Sequence, residues 1–146
     1  MADRTLHQPV LTIAEVDEFL RVEFPQMFVD GDVFRTEAIE PERVRMVCEP
    51  LDRHLRPGGT VSGPTLFTLA DVSAYVAVLS HVGRVALALT TSLNINFLNR
   101  AEAGPISCDA VILKLGRRLV IVDCSIRDGR ERTVAQATAT YSIPQR

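Results

Sequence analysis

The stretch "RPGGTVSGPTLFTLADVSAYVAVLS", residues 56–80, carries one charge after its opening arginine, and that charge is Asp71. Leu66, Leu69, Ala70, Ala74, Val76, Ala77 and Leu79 cover most of a helical circumference. A helix that is apolar on nearly every side is one that other elements cover on nearly every side. Pro64 suits its first turn, where a missing N–H costs nothing, and Gly83 marks its end. The spacing therefore predicts a buried helix over 64–80 around which the rest of the chain must wrap. Asp71 and the interspersed Ser and Thr break the apolar run, which argues for a core helix over a membrane span.

Upstream, "TIAE" at 12–15 is a capping box in which Thr12 and Glu15 exchange hydrogen bonds. It opens a helix with Ile13, Val16, Phe19 and Leu20 on one stripe, stopped by Pro25. "DGD" at 30–32 turns the chain into two strand-like segments, 33–40 and 43–49, divided at Pro41. Downstream the period changes from 3.6 to 2. Leu93, Ile95 and Phe97 alternate with Ser92, Asn94 and Asn96; "LGRR" at 115–118 turns a strand around Val111 and Leu113 into Leu119–Arg127. Ala135, Ala137, Ala139 and Tyr141 then share one face, small enough for a helix to lie close. The order is helix, two strands, buried helix, four long strands. This predicts an α+β fold, one antiparallel sheet wrapped around one central helix.

At 146 residues, 47% hydrophobic and 23% charged, the chain can bury a sizeable core. It reads as one main domain over 30–146 with an N-terminal helical extension over 1–29. Residues 1–42 carry a net −7 and residues 43–146 a net +5, and fifteen of the sixteen basic residues are Arg. That pattern suits either a phosphate-bearing small ligand or a solvated basic face, and the overall −2 gives no general case for nucleic acid. Cys48, Cys108 and Cys124 stand far apart in apolar settings and read as buried reduced thiols; no ligand spacing suggests a metal. "MADRTLHQPVL" lacks the features of a signal peptide, so a cytoplasmic protein is expected, with no membrane partner.

Asp71 shares a helix face with Thr68, three residues before it, and Tyr75, four after. An ionised carboxylate in apolar surroundings finds partners, shifts its pKa or borders solvent, so this face either opens on a cleft or is satisfied by local donors. "GGTVSGP" at 58–64 places glycines ahead of the same helix, where free backbone N–H groups and the helix dipole favour negative charge. Such a loop is either a turn or an oxyanion hole. Gly63 and Asp71 lie about 12 Å apart along one helix at 1.5 Å per residue. A site that uses both forms more naturally between two subunits with their helices antiparallel.

Taken together, "GGTVSGPTLFTLADVSAYVAVL", "TTSLNINFLNRA" and "GRRLVIVDCSI" resemble the hotdog-fold thioesterases of the phenylacetic-acid-degradation (PaaI-like) type, over roughly residues 30–144. The resemblance implies a hotdog fold, a homodimer and often a dimer of dimers, an acyl-CoA substrate and no cofactor. It implies that Asp71 acts as base or nucleophile, and that the Gly63 N–H polarises the thioester carbonyl across the dimer. Ser92 falls where relatives place a hydroxyl that orients the water. The family's His-Gly-Gly stands here as Ser62-Gly63-Pro64, and its usual Asn is Arg56, placed to meet an anionic group. Arg100, Arg117 and Arg118 become candidates for the phosphates of CoA, and Ser62, Thr68 and Tyr75 candidates for the walls of the substrate site. Two other readings stay open: a non-catalytic acyl-CoA-binding protein, and an acyl-thioester hydratase or dehydratase built on His54.

Overall fold

The computed structural model describes residues 4–145. Thr12 caps helix α1, Ile13–Glu23, through the reciprocal pair with Glu15, and Val16 and Leu20 are the residues it buries in the core. Strands β1, Phe34–Glu40, and β2, Arg43–Cys48, form a hairpin. Helix α2, Gly63–Val82, follows, and then β3, Leu89–Phe97; β4, Ile106–Leu115; β5, Leu119–Arg127; and β6, Thr133–Ser142. The six strands make one antiparallel sheet in the order β1-β2-β4-β5-β6-β3. α2 is thus the crossover that carries the chain from the β2 side to the far edge, and it lies in the concave face between. This is the α+β architecture that the residue pattern predicts.

By length and composition alone α2 is apolar enough to cross a membrane, but 78% of its apolar window is buried inside the fold. The row of small residues makes that burial possible. Ala135, Ala137 and Ala139 of β6 and Ala70, Ala74 and Ala77 of α2 are all fully buried. The backbones come close enough for the Cys124 thiol to donate to the Ala70 carbonyl at 3.6 Å. All three cysteines are free and buried, and burial pushes the Cys48 thiol up to about 12.

The N-terminal segment is tied to the rest of the fold at two places. The Val10 N–H donates to the Ser80 carbonyl at 2.6 Å, covering a last-turn carbonyl of α2 that the helix cannot satisfy itself. Glu42, in the left-handed region at φ 58 in the β1–β2 turn, gathers a second set of contacts. Its backbone N–H donates to His81 Nε2 at 2.8 Å, and its carboxylate accepts from Arg4 at 2.8 and 2.6 Å and pairs with His7 Nδ1 at 2.7 Å. His81 Nδ1 lies 2.9 Å from the Ala77 carbonyl, and burial pushes its pKa down, so the neutral ring donates there and accepts from Glu42.

Hydrogen bonds from Arg4 and His7 bring the Glu42 carboxyl down from 4.5 to about 2. A pKa depressed by folding contributes stability above its unfolded value and loses it as pH falls through the folded one. Arg4→Ala is accordingly expected to unfold at lower denaturant than the parent at pH 7. That difference should shrink from pH 4.5 towards pH 2, measured by urea midpoints across the range. A gap that stays constant down to pH 2 would mean the staple has no electrostatic part.

Candidate active site

Two cavities flank the ends of edge strand β3, and most of the sequence-predicted residues fall into one or the other. The first, of about 380 Å³, is lined by Asp71, Thr68 and Tyr75 of α2, Thr90 of β3, Tyr141 of β6 and Phe24 at the end of α1. Asp71 Oδ1 accepts from Thr90 Oγ1 and from the Tyr141 hydroxyl, each at 2.7 Å. Among the described residues no donor is bonded to Oδ2 and no cation pairs with Asp71. The Tyr141 ring stacks on Tyr75 with centroids 6.0 Å apart and planes 18° from parallel. Tyr75 in turn donates to the Ala86 carbonyl at 2.9 Å and receives Phe24 edge-on at 6.2 Å. Burial, followed by the neighbouring Asp71 charge, pushes the Tyr141 phenol up, so it stays a donor at any working pH.

The second cavity, of about 480 Å³, surrounds Gly63 and contains Arg56, Thr60, Phe97, Asn99 and Arg100. Gly63 is the first residue of α2, where backbone N–H groups have no intrahelical acceptor, and no other acceptor among the described residues is bonded to its N–H. A side chain is disfavoured at this position because the helical region is unfavourable for a residue that precedes proline. A Cβ itself would stand in van der Waals contact with the Phe97 ring, at 3.4 Å. Ser62 is occupied as the N-cap, with Oγ accepting from the Thr65 N–H at 3.4 Å and pairing with Thr65 Oγ1 at 2.9 Å.

Ser62 lines neither cavity, and three further predicted residues sit elsewhere. Ser92 is exposed, and the hydroxyl beside Asp71 belongs to Thr90. The pairing shifts register between Thr90 and Ser92: Thr90 opposes Tyr141, whereas Ser92 opposes Thr140 on the face turned away from α2. Arg117 and Arg118 line a separate cavity at the C-terminal end of α2, beside Val82 and Ile143. They share no wall with Asp71 or Gly63. Thr90 and Tyr141 were the residues that sequence reasoning missed. Tyr141 did carry a signal, as the one large polar side chain on an otherwise alanine face.

His54 is buried in a short turn before the Gly63 loop, with Nδ1 accepting from the Leu51 N–H at 2.9 Å. Its carbonyl accepts from the Ser62 N–H at 2.9 Å, and burial pushes the imidazole pKa down. It is absent from the walls of both cavities and serves the loop that presents Gly63.

The family profile described as the thioesterase superfamily matches residues 58–135, from the Gly63 loop into β6. The chain belongs to the thioesterase superfamily. A crystal structure of a "putative thioesterase" from Silicibacter sp. TM1040 superposes with a TM-score of 0.85 at 42% identity, covering 95% of this chain and 96% of that one. The "putative esterase" SSO1253 of Saccharolobus solfataricus is 31% identical over 92% of this chain and 87% of its own length. A Streptococcus mutans protein, smu.793, solved bound to acetyl CoA, aligns at 25% identity with a TM-score of 0.69, over 77% of this chain and 90% of that one. These likenesses support a hydrolase with the hotdog architecture.

Proposed function

We propose that this superfamily member hydrolyses an acyl-CoA thioester to the free acid and CoA, at two sites per homodimer. The observation that carries the reading is the division of labour along β3. An open carboxylate oxygen lies at its start and an unpartnered helix-terminal N–H beside its end. β3 is an edge strand with a free row of backbone donors and acceptors, and Leu89 and Phe97 at its ends and Leu98 just past it are exposed. Two copies pairing β3 to β3 antiparallel about a twofold axis would lay the Thr90 end of one strand beside the Phe97 end of the other. Asp71 of one protomer then faces Gly63 of its partner, a meeting that the 12 Å along one helix denies them within a chain. A dimer of dimers is compatible with this arrangement, which leaves the outer sheet face free.

In this assembly the acyl group enters the aromatic cavity beside Asp71, against Phe24 and Tyr75. Arg56 and Arg100 at the Gly63 cavity meet the phosphates of CoA, which planar guanidinium groups grip well. A CoA handle also fits the acetyl-CoA-bound relative. Asp71 either takes a proton from water as that water attacks the carbonyl carbon, or attacks the carbon itself. The carbonyl oxygen gains negative charge, held by the partner's Gly63 N–H, and such a donor contributes ~3 kcal/mol to the transition state. The C–S bond then breaks and the thiolate of CoA takes up a proton. With Asp71 as base the acid departs directly, whereas with Asp71 as nucleophile a water then hydrolyses the acyl–Asp71 anhydride, which releases the acid and restores the carboxylate.

A panel of acyl-CoA esters, short and long, aliphatic and aromatic, tests the reading through free-thiol release. Turnover of at least one acyl class is the expected result. Tight binding across the panel without thiol release would instead identify a non-catalytic acyl-CoA-binding protein.

A further inference from the structure

We infer that Tyr141 is a positioning residue for Asp71, fixing which carboxylate oxygen meets the substrate. The inference rests on the thioester-hydrolase reading above and deepens it. The terminal torsion of an aspartate is broad and nearly twofold, so an unrestrained Asp71 would present either oxygen over a range of angles. Here both hydroxyls reach the same oxygen, from two different strands whose pairing places Thr90 directly opposite Tyr141. Oδ1 is thereby consumed as an acceptor, and Oδ2 is left as the oxygen that can face a water or a thioester carbon.

The clamp is itself held. Tyr141 is 3% exposed, its ring lies on Tyr75, and the Tyr75 hydroxyl is tied to the Ala86 carbonyl. The phenol cannot swing away from the carboxylate without breaking the aromatic stack. A second contact, 3.0 Å from the Tyr141 hydroxyl to the Asp71 carbonyl oxygen, brings the phenol against the helix backbone as well as the side chain. Hydrogen bonds to a charged acceptor are about twice as strong as neutral ones, which suits a clamp on an ionised Asp71.

The groups around Asp71 come from every element that packs on it: Tyr141 from β6, Cys124 from β5, Tyr75 from its own helix, Glu23 from the end of α1 and the Thr90 hydroxyl from β3. Burial raises both phenols, and a hydrogen bond with Cys108 together with burial raises the Cys124 thiol, so all three remain neutral. Among the described residues no cation pairs with Asp71, so the two hydroxyls are the groups that orient it.

The test is Tyr141→Phe, which keeps the stacked ring, assayed on the best acyl-CoA of the panel beside Asp71→Asn. The expected result is a kcat lowered about 10- to 100-fold with KM little changed. Thr90→Val, which leaves the aromatic stack intact, carries the same expectation and serves if the phenylalanine variant folds poorly. Parental kcat overturns the inference, even if the melting temperature falls, because that pattern belongs to a packing role alone. Should Asp71→Asn itself hydrolyse at the parental rate, the hydrolase reading fails first. If Asp71→Asn is inactive and Tyr141→Phe is not impaired, the positioning role alone is wrong.

Discussion

Asp71→Asn is expected to lower thioester hydrolysis by about 10²- to 10⁴-fold, the range typical for loss of a positioned acid–base group. The substitution is nearly isosteric and keeps a carbonyl oxygen where Oδ1 stands. Thr90 and Tyr141 can still donate to it at the 2.7 Å distances they now hold, and α2 keeps its packing. What disappears is the charge at Oδ2 and with it the capacity to accept a proton or attack a carbon. The same loss follows under either role for Asp71, so the prediction does not depend on choosing between base and nucleophile. The fold should not suffer, because removing a half-buried charge with no cationic partner among the described residues takes away a desolvation cost. The measurement is thiol release on the panel's best substrate, with circular dichroism and a mass determination to show that fold and assembly survive. Parental turnover in this variant would mean that the carboxylate is structural, satisfied by its two hydroxyls and nothing more.

Much of the architecture was legible because α2 left the chain few options. A twenty-residue helix apolar on every side must be enclosed, and the period-2 segments after residue 86 were the material available to enclose it. Asp71 was legible for the complementary reason: a lone charge on such a helix requires an account. What the alternation hid was irregularity. Reading β3 with a strict period of two puts Thr90 on the outward face with Ser92, Asn94 and Asn96, but the register shift after Thr90 leaves Thr90 facing the helix. Ser92 came from the family resemblance and stays on the outward face that the alternation gives it. Phe97 misleads in the same way. It reads as the third inward residue after Leu93 and Ile95, yet it is 55% exposed, since β3 is an edge strand whose end reaches the Gly63 cavity. The contribution of Tyr141 depended on β6 packing against a helix seventy residues earlier in the chain, a distance that no local pattern spans. Arg117 and Arg118 were chosen for their charge, and charge alone carries no address in the fold.

Mixing two inactive variants is expected to restore activity, and this outcome bears on the shared site more directly than any single substitution. Gly63→Val puts a branched side chain where a Cβ alone would meet Phe97 at 3.4 Å, narrowing the approach to the N–H. It also places a β-branched residue in a helical conformation ahead of Pro64, which tilts the first turn of α2 and re-aims the donor. Each homodimer alone should therefore hydrolyse poorly, Asp71→Asn for want of its carboxylate and Gly63→Val for want of an accessible donor. In a mixed dimer one site combines Asp71 of the valine chain with Gly63 of the asparagine chain, and that site is intact. The other site carries both lesions. Random pairing of equal amounts makes half the dimers mixed, each with one working site, so co-expression should return about one quarter of the parental rate. A site contained within one chain predicts no recovery, because every chain then carries a lesion in its own site. A Gly63→Val homodimer that turns over at the parental rate would remove Gly63 from the mechanism, and recovery without that variant's own defect would have no meaning. The experiment thus separates the assignment of Asp71 from the claim that its oxyanion partner comes from across the β3 edge.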